Sequence, residues 1–208
     1  CSRLNTVESF ELIQTPSQFS PELRRHKLKL LLAGPDTEVL DVEVAGAVTP
    51  VPSLVGKTCP EFVFPNHQDK AFIAVNFDPR SLKHLMSQKT LNLAHLQGDA
   101  LLIVDSLWSM VRKGKLSIWD YAQLMLPWAD DLKDEKLQDL VYRTLLDGGP
   151  NGPALQYYLG VDEKFAERAV ELQKRLENLL WKKLKAAKPG SDDQRRFFFS
   201  YLTAARSI

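Results

Sequence analysis

Three runs in the first part of the chain alternate apolar and polar side chains residue by residue. Phe10 and Leu12 alternate with Glu11 and Ile13; Leu28, Leu30 and Leu32 alternate with Lys29 and Leu31, the two places where the outer residue is itself apolar being Ile13 and Leu31; Leu40, Val42 and Val44 alternate with Asp41 and Glu43. A period of two places one set of side chains on each face of a strand, so each run reads as a half-buried β-strand. The interval "AGPDTE" (Ala33 to Glu38) is rich in turn formers and predicts that the second and third runs form an antiparallel hairpin with one wet face. A second hairpin is expected from Phe62–Phe64 and the alternating Ile73, Val75 and Phe77, with Pro65 to Asp69 as the reversing loop. Residues 8–77 therefore predict a small antiparallel sandwich of five to seven short strands.

At Asp78-Pro79 the pattern changes to that of helices: a carboxylate able to accept from free amides is followed by proline at the first helical position. Asp99 to Val111 is apolar nearly all round, with Asp105, Ser109 and Arg112 as its polar stripe, so this helix is expected to be mostly buried. Gly114 ends it, and "SIWD" (Ser117 to Asp120) opens the next with a hydroxyl cap and an acid three residues on. Pro127 should kink or end that helix near Leu126. Asp134 opens a third with Leu137, Val141 and Leu145 inward, and "GGPNGP" (Gly148 to Pro153) closes it. A long fourth follows Asp162 and aligns Phe165, Ala169, Leu172, Leu176, Leu179 and Leu184. Asp192 and Asp193 favour the amino end of a fifth, which runs on to Ile208 with no glycine, proline or basic stop. Short links between amphipathic helices imply antiparallel helical hairpins, stacked as a bundle or solenoid. The fold class is α+β in two parts, a β-sandwich domain over 1–78 and an α-helical domain over 79–208, with the chain cut inside the second.

Composition narrows the function. The chain has 208 residues, 44% of them hydrophobic, enough for a sizeable core. Its 27 basic and 26 acidic side chains leave a formal charge of +1, so no field of one sign recruits nucleic acid or anionic lipid. No apolar run approaches the roughly 20 residues of a membrane span, and no secretory leader is visible, which makes the cytoplasm the default location. Cys1 and Cys59 are too few for a disulfide framework or a thiolate zinc cage, and read as thiols of a reducing compartment.

Converging catalytic groups are hard to find. The four histidines, His26, His67, His84 and His95, include no two placed four residues apart, so the H-E-x-x-H helix of zinc hydrolases is missing. His67 reads as a solvated turn histidine, and His84 and His95 as helix-surface residues. "VGKT" (Val55 to Thr58) echoes the end of a phosphate-binding loop, but Val51 stands at the position of its first glycine and Cys59-Pro60 at the start of its helix. "RRHK" (Arg24 to Lys27) reads as an exposed edge. "KRLENLLWKKLKAAK" (Lys174 to Lys188) is a basic amphipathic helix whose leucines suit a core and whose lysine stems suit its border. From the residues alone no catalytic and no metal-binding residue is assigned, and substrate-binding residues are unknown.

The order of motifs adds one further reading. "PEFVFPNHQDKAFIAVNFDPRS" (Pro60 to Ser81) resembles the junction in zinc aminopeptidases of the aminopeptidase N type, where a proline-asparagine loop joins the end of a β-sandwich to a carboxyl-terminal helical domain. Upstream, "IQTPSQFSPELRRHKLKLLLA" (Ile13 to Ala33) is similar to a sandwich segment of that family. Downstream, "LLIVDSLWSMVRKGKLSIWDYAQLMLPW" (Leu101 to Trp128) is similar to a helix pair there. His67, Gln68 and Phe72 depart from the family's more acidic, tyrosine-bearing loop. The resemblance implies a parent hydrolase, cytoplasmic and bacterial, that uses zinc to release amino-terminal residues from peptides. Its zinc ligands and catalytic glutamate would lie before Cys1, none of them in this segment. It also implies that the segment's partners are the catalytic domain of the same polypeptide and, in the whole enzyme, peptide substrates, with no role for nucleic acid or membrane. The segment itself would shape and restrict access to the active-site chamber. The alternatives are a stand-alone helical-repeat interaction module, and a protein that binds a partner or membrane through the helix Lys174 to Lys188.

Overall fold

A computed structural model of the chain describes residues 1–17, 21–88, 98–146 and 166–205. They form two compact units. The first comprises 1–87 with 98–103, and the second comprises the remaining described residues, from 104 on together with Gln88.

The first unit contains five strands: β1 (Glu11–Ile13), β2 (His26–Ala33), β3 (Glu38–Val44), β4 (Val48–Pro50) and β5 (Phe62–Phe64). They make two antiparallel sheets, β1 with β4, and β3-β2-β5 with β2 in the centre. The predicted β2–β3 hairpin is present, with Leu28 opposite Val42 and Leu30 opposite Leu40. Leu12 of β1, Leu30 and Leu32 of β2 and Val63 of β5 meet Val7, Val51 and Leu54 in one core, so the two sheets share an apolar interior.

The hairpin expected between 62–64 and 73–77 does not form. β5 pairs with β2 instead, Leu31 opposite Phe64 and Ala33 opposite Phe62. Residues 73–77 belong to neither helix nor ladder, yet their burial alternates as predicted: Val75 and Phe77 are buried while Phe72, Ala74 and Asn76 are exposed. The alternation reports an extended backbone lying on a core, which does not by itself require a neighbouring strand.

The two cysteines are not free thiols. Cys1 and Cys59 form a disulfide with Cα atoms 6.1 Å apart, across 58 residues of sequence. The pairing follows from the backbone around it: Thr6 bridges Thr58, Val7 N donates to Lys57 O at 2.9 Å, and Cys59 N donates to Asn5 O at 2.9 Å. Bonds of this kind persist in oxidising rather than reducing compartments.

Helix α1 (Pro79–Ser87) starts as expected, Asp78 Oδ1 accepting from Arg80 N at 2.9 Å and Ser81 N at 3.1 Å. Ser81 Oγ donates to Asp78 Oδ2 at 2.5 Å and accepts from Val63 N at 2.9 Å, which joins the helix start to β5. Arg80 ties the same corner to Pro60 O and Asn5 Oδ1, at 2.8 and 3.0 Å.

Helix α2 (Ala100–Arg112) is buried on most sides, with Asp105 and Arg112 exposed. The second unit adds α3 (Ile118–Asp131), α4 (Glu135–Leu146), α5 (Ala166–Ala186) and α6 (Asp192–Ala204). Ser117 caps α3 by accepting from Asp120 N at 3.0 Å, and Asp134 Oδ1 accepts from Leu137 N at 2.9 Å at the head of α4. Pro127 does not stop α3, which continues to Asp131. Leu124, Met125, Leu126, Trp128 and Ala129 are all buried around it, and this packing overrides the lost backbone bond. Leu172, Leu176, Leu179 and Leu180 of α5 are buried, as its leucine stripe predicts. Helix α6 ends at Ala204, short of the expected Ile208, with Ala205 N donating to Tyr201 O at 2.7 Å. Phe165, His95 and "GGPNGP" lie outside the described residues.

Candidate functional site

A group of interacting polar side chains in the first unit sits at the turn after β5. Asn66 organises it: its amide nitrogen donates to Asp69 Oδ1 at 3.2 Å and to Ala71 O at 2.9 Å, while its oxygen accepts from Ala71 N at 3.0 Å. One side chain thus replaces backbone partners across the turn. It holds Gln68 and Asp69 at φ +61° and +51°, left-handed values uncommon for residues with a side chain.

His67 is not solvated. It is 2% exposed, and its Nδ1 lies 2.5 Å from Oδ2 of Asp99, which is 1% exposed. Asp99 Oδ1 also accepts from Gln68 N at 2.9 Å, so one carboxylate, just ahead of α2, grips both the ring and the backbone of the turn. Sequence reading missed this pair because 32 residues separate its members. A weak signal was the polar Gly98-Asp99 before an apolar helix. A buried carboxylate needs partners, and the turn supplies them.

Two other described histidines lie elsewhere. His26 is half-buried on β2, and His84 on α1 lies 3.5 Å from Glu61 Oε2. Lys57 of the "VGKT" stretch places Nζ 2.8 Å from both oxygens of Glu38, an exposed ion pair and not a phosphate cradle.

The second unit has a different character. Tyr121 and Thr144 share a buried hydrogen bond of 2.7 Å, and burial pushes the Tyr121 hydroxyl far above its usual pKa. Tyr142 is raised in the same way, again mainly by burial, and its hydroxyl has no hydrogen-bond partner among the described residues. Burial lowers the Lys183 pKa, against an opposing pull from Asp130, whose backbone oxygen accepts from Nζ at 2.6 Å. Between α5 and α6 runs an open cleft of about 730 Å³ lined by Trp181, Lys185, Arg195 and Phe198. The Trp181 ring lies 5.2 Å from that of Tyr201, tilted by 38°, and carries Lys185 Nζ 5.4 Å from its ring centre.

Zinc does not fit these residues. Among the described residues no three His, Cys, Asp or Glu side chains converge as metal ligands, His67 and Asp99 are spent on each other, and both cysteines are in the disulfide. None of the described helices is long and apolar enough to cross a membrane.

No protein-family model matches the chain. Over 169 residues, 81% of its length, it is 28% identical to an aminopeptidase N from Streptomyces lividans, and the matched stretch is 18% of that protein. The chain is thus distantly similar to a peptidase of which it spans under a fifth.

Proposed function

We propose that this chain is a non-catalytic carboxyl-terminal part of a zinc aminopeptidase, in which a β-sandwich and the following helices wall and restrict the chamber where peptides lose their amino-terminal residues. One observation carries the reading: similarity to an aminopeptidase N extends over 81% of the chain, across both the sheet and the helices, and is not confined to one motif. The two-part fold agrees with it, since sheet and helices follow in the order that the junction "PEFVFPNHQDKAFIAVNFDPRS" implies.

Zinc in such an enzyme polarises the scissile carbonyl and readies a water for attack. Among the described residues no three candidate metal ligands converge, and the role proposed for this segment is mechanical. A wall that admits only unfolded peptides needs an ordered surface, and within the first unit the polar turn at Asn66 is ordered by bonds to Asp69 and Ala71. The catalytic domain of the same polypeptide is the partner this role requires.

The test has two arms. The reading frame upstream of Cys1 is expected to encode several hundred residues with H-E-x-x-H and a later glutamate, and the protein made from it is expected to release amino acids from aminoacyl anilides. The 208 residues alone, with zinc added, are expected to show no turnover. Turnover by the short chain, or an upstream frame without those motifs, overturns the reading.

A further inference from the structure

The three-stranded sheet has two outer edges of unequal character. On the β5 side the Val63 amide is already taken by Ser81 Oγ, at 2.9 Å. The other edge is β3, seven residues whose main chain meets no hydrogen-bond partner except β2 among the described residues. Its register with β2 is regular from Leu32 opposite Glu38 to His26 opposite Val44, so no bulge interrupts it. It carries no lysine and no proline either, and its only charges are acidic. The strands of the second sheet, β1 and β4, have three residues each and offer no edge of that length.

Side chains along β3 define what suits its open side. Glu38 is spent on Lys57, but Asp41 and Glu43 are exposed, and neither carboxylate has a hydrogen-bond or ion-pair partner among the described residues. On the opposite face Leu40 and Val42 pack against the core yet remain half-buried. The inner neighbour shows which chemistry β3 accepts. β2 sets Lys29 opposite Asp41 and Lys27 opposite Glu43, with Leu30 opposite Leu40 and Leu28 opposite Val42.

We propose that the open edge of β3 binds an extended segment of another protein in which lysine or arginine alternates with large apolar side chains, the pattern of β2 itself. The inference stands independently of the functional reading above. Main-chain bonds hold such a strand and alternate side chains set its register. The carboxylates choose among occupants. A second copy of β3, laid antiparallel about Asp41 or Val42, would set Asp41 against Asp41 or against Glu43, and like charges directly opposite each other destabilise a pair. Within the chain, the unpaired stretch 73–77, "IAVNF", has no cation to offer, and β2 already lies inside the sheet.

The probe is a synthetic peptide copying Arg25 to Leu31, "RHKLKLL", with a twin carrying Arg25→Glu, Lys27→Glu and Lys29→Glu. Residue-resolved hydrogen exchange of the 208-residue chain reads its binding, and protected β2 amides mark the folded state. At low salt the basic peptide is expected to slow the β3 amides that face away from β2, half-saturating below about 1 mM. The twin is expected to need at least about tenfold more, because two cross-strand pairs change from attraction to repulsion. Asp41→Asn combined with Glu43→Gln alters two exposed side chains without partners, and should make the two peptides bind alike. No protection of β3 by the basic peptide overturns the proposal, as does protection centred on another element. Equal half-saturation by both peptides in the wild type, or a preference that survives in the Asn/Gln variant, overturns it too. Protection of the same amides that rises with protein concentration, without any peptide, would instead make a second copy the occupant and equally refute it.

Discussion

The Cys1–Cys59 disulfide sets a stability difference that can be worked from topology. Closing a loop of 58 residues removes about 14 cal/mol/K of unfolded-chain entropy, or about 4 kcal/mol near room temperature. The backbone bonds beside it, Val7 N to Lys57 O and Gly56 N to Val7 O, do not depend on the sulfurs, so the folded sheet unit should survive their separation. Cys1→Ala is the cleaner perturbation, because Cys1 is exposed and the buried Cys59 then remains as a small apolar side chain. Tryptophan fluorescence is the wrong probe: Trp108, Trp119, Trp128 and Trp181 all lie beyond the sheet unit. Exchange of β2 amides through global opening is the right one, and the variant is expected to exchange about a thousandfold faster than the oxidised wild type, since 1.4 kcal/mol is a factor of ten. Reductant should reproduce that acceleration in the wild type and leave the variant unchanged. An acceleration under tenfold, or two titratable thiols in protein never exposed to reductant, would refute the reasoning.

Two further predictions concern buried polar groups. His67→Ala leaves Asp99 Oδ2 buried without its partner, Oδ1 still accepting from Gln68 N, and should cost about 2 kcal/mol, whereas Asp99→Asn keeps hydrogen-bonding atoms at both positions and should cost clearly less; equal losses in urea denaturation would show that the pair contributes packing only. Tyr121 and Tyr142 have folded pKa values above their unfolded value of 10.0, so their stabilising contribution is present below that pH and lost as pH rises beyond it. Stability should fall by about 1.4 kcal/mol per pH unit per tyrosine above that point, and Tyr142→Phe, which also removes an unpartnered buried hydroxyl, should raise the Tm and flatten the fall; an unchanged alkaline slope would count against this.

Sequence patterns revealed the parts of the fold whose causes are local. The leucines of β2 and the alternation of β3 lie on either side of a turn, so periodicity and turn chemistry together specified the hairpin. The caps at Asp78, Ser117 and Asp134 were equally legible, because a cap and its acceptor lie within three residues. What stayed hidden is nonlocal. Cys1 meets Cys59 only because Thr6 bridges Thr58, and His67 meets Asp99 only because α2 begins beside the turn. Residues 73–77 have a strand's alternation, but side-chain period does not say whether a neighbour is present. Pro127 obeys no local rule at all, since the packing of Trp128 and its neighbours decides the outcome.

Ser81 has a wider meaning than its size suggests. With its hydroxyl plugged into the Val63 amide, the outermost position of the three-stranded ladder is occupied by a helix tip, and a stray strand from another molecule finds no socket there. Runaway stacking, the usual hazard of small open sheets, is thus blocked on that flank by one oxygen atom.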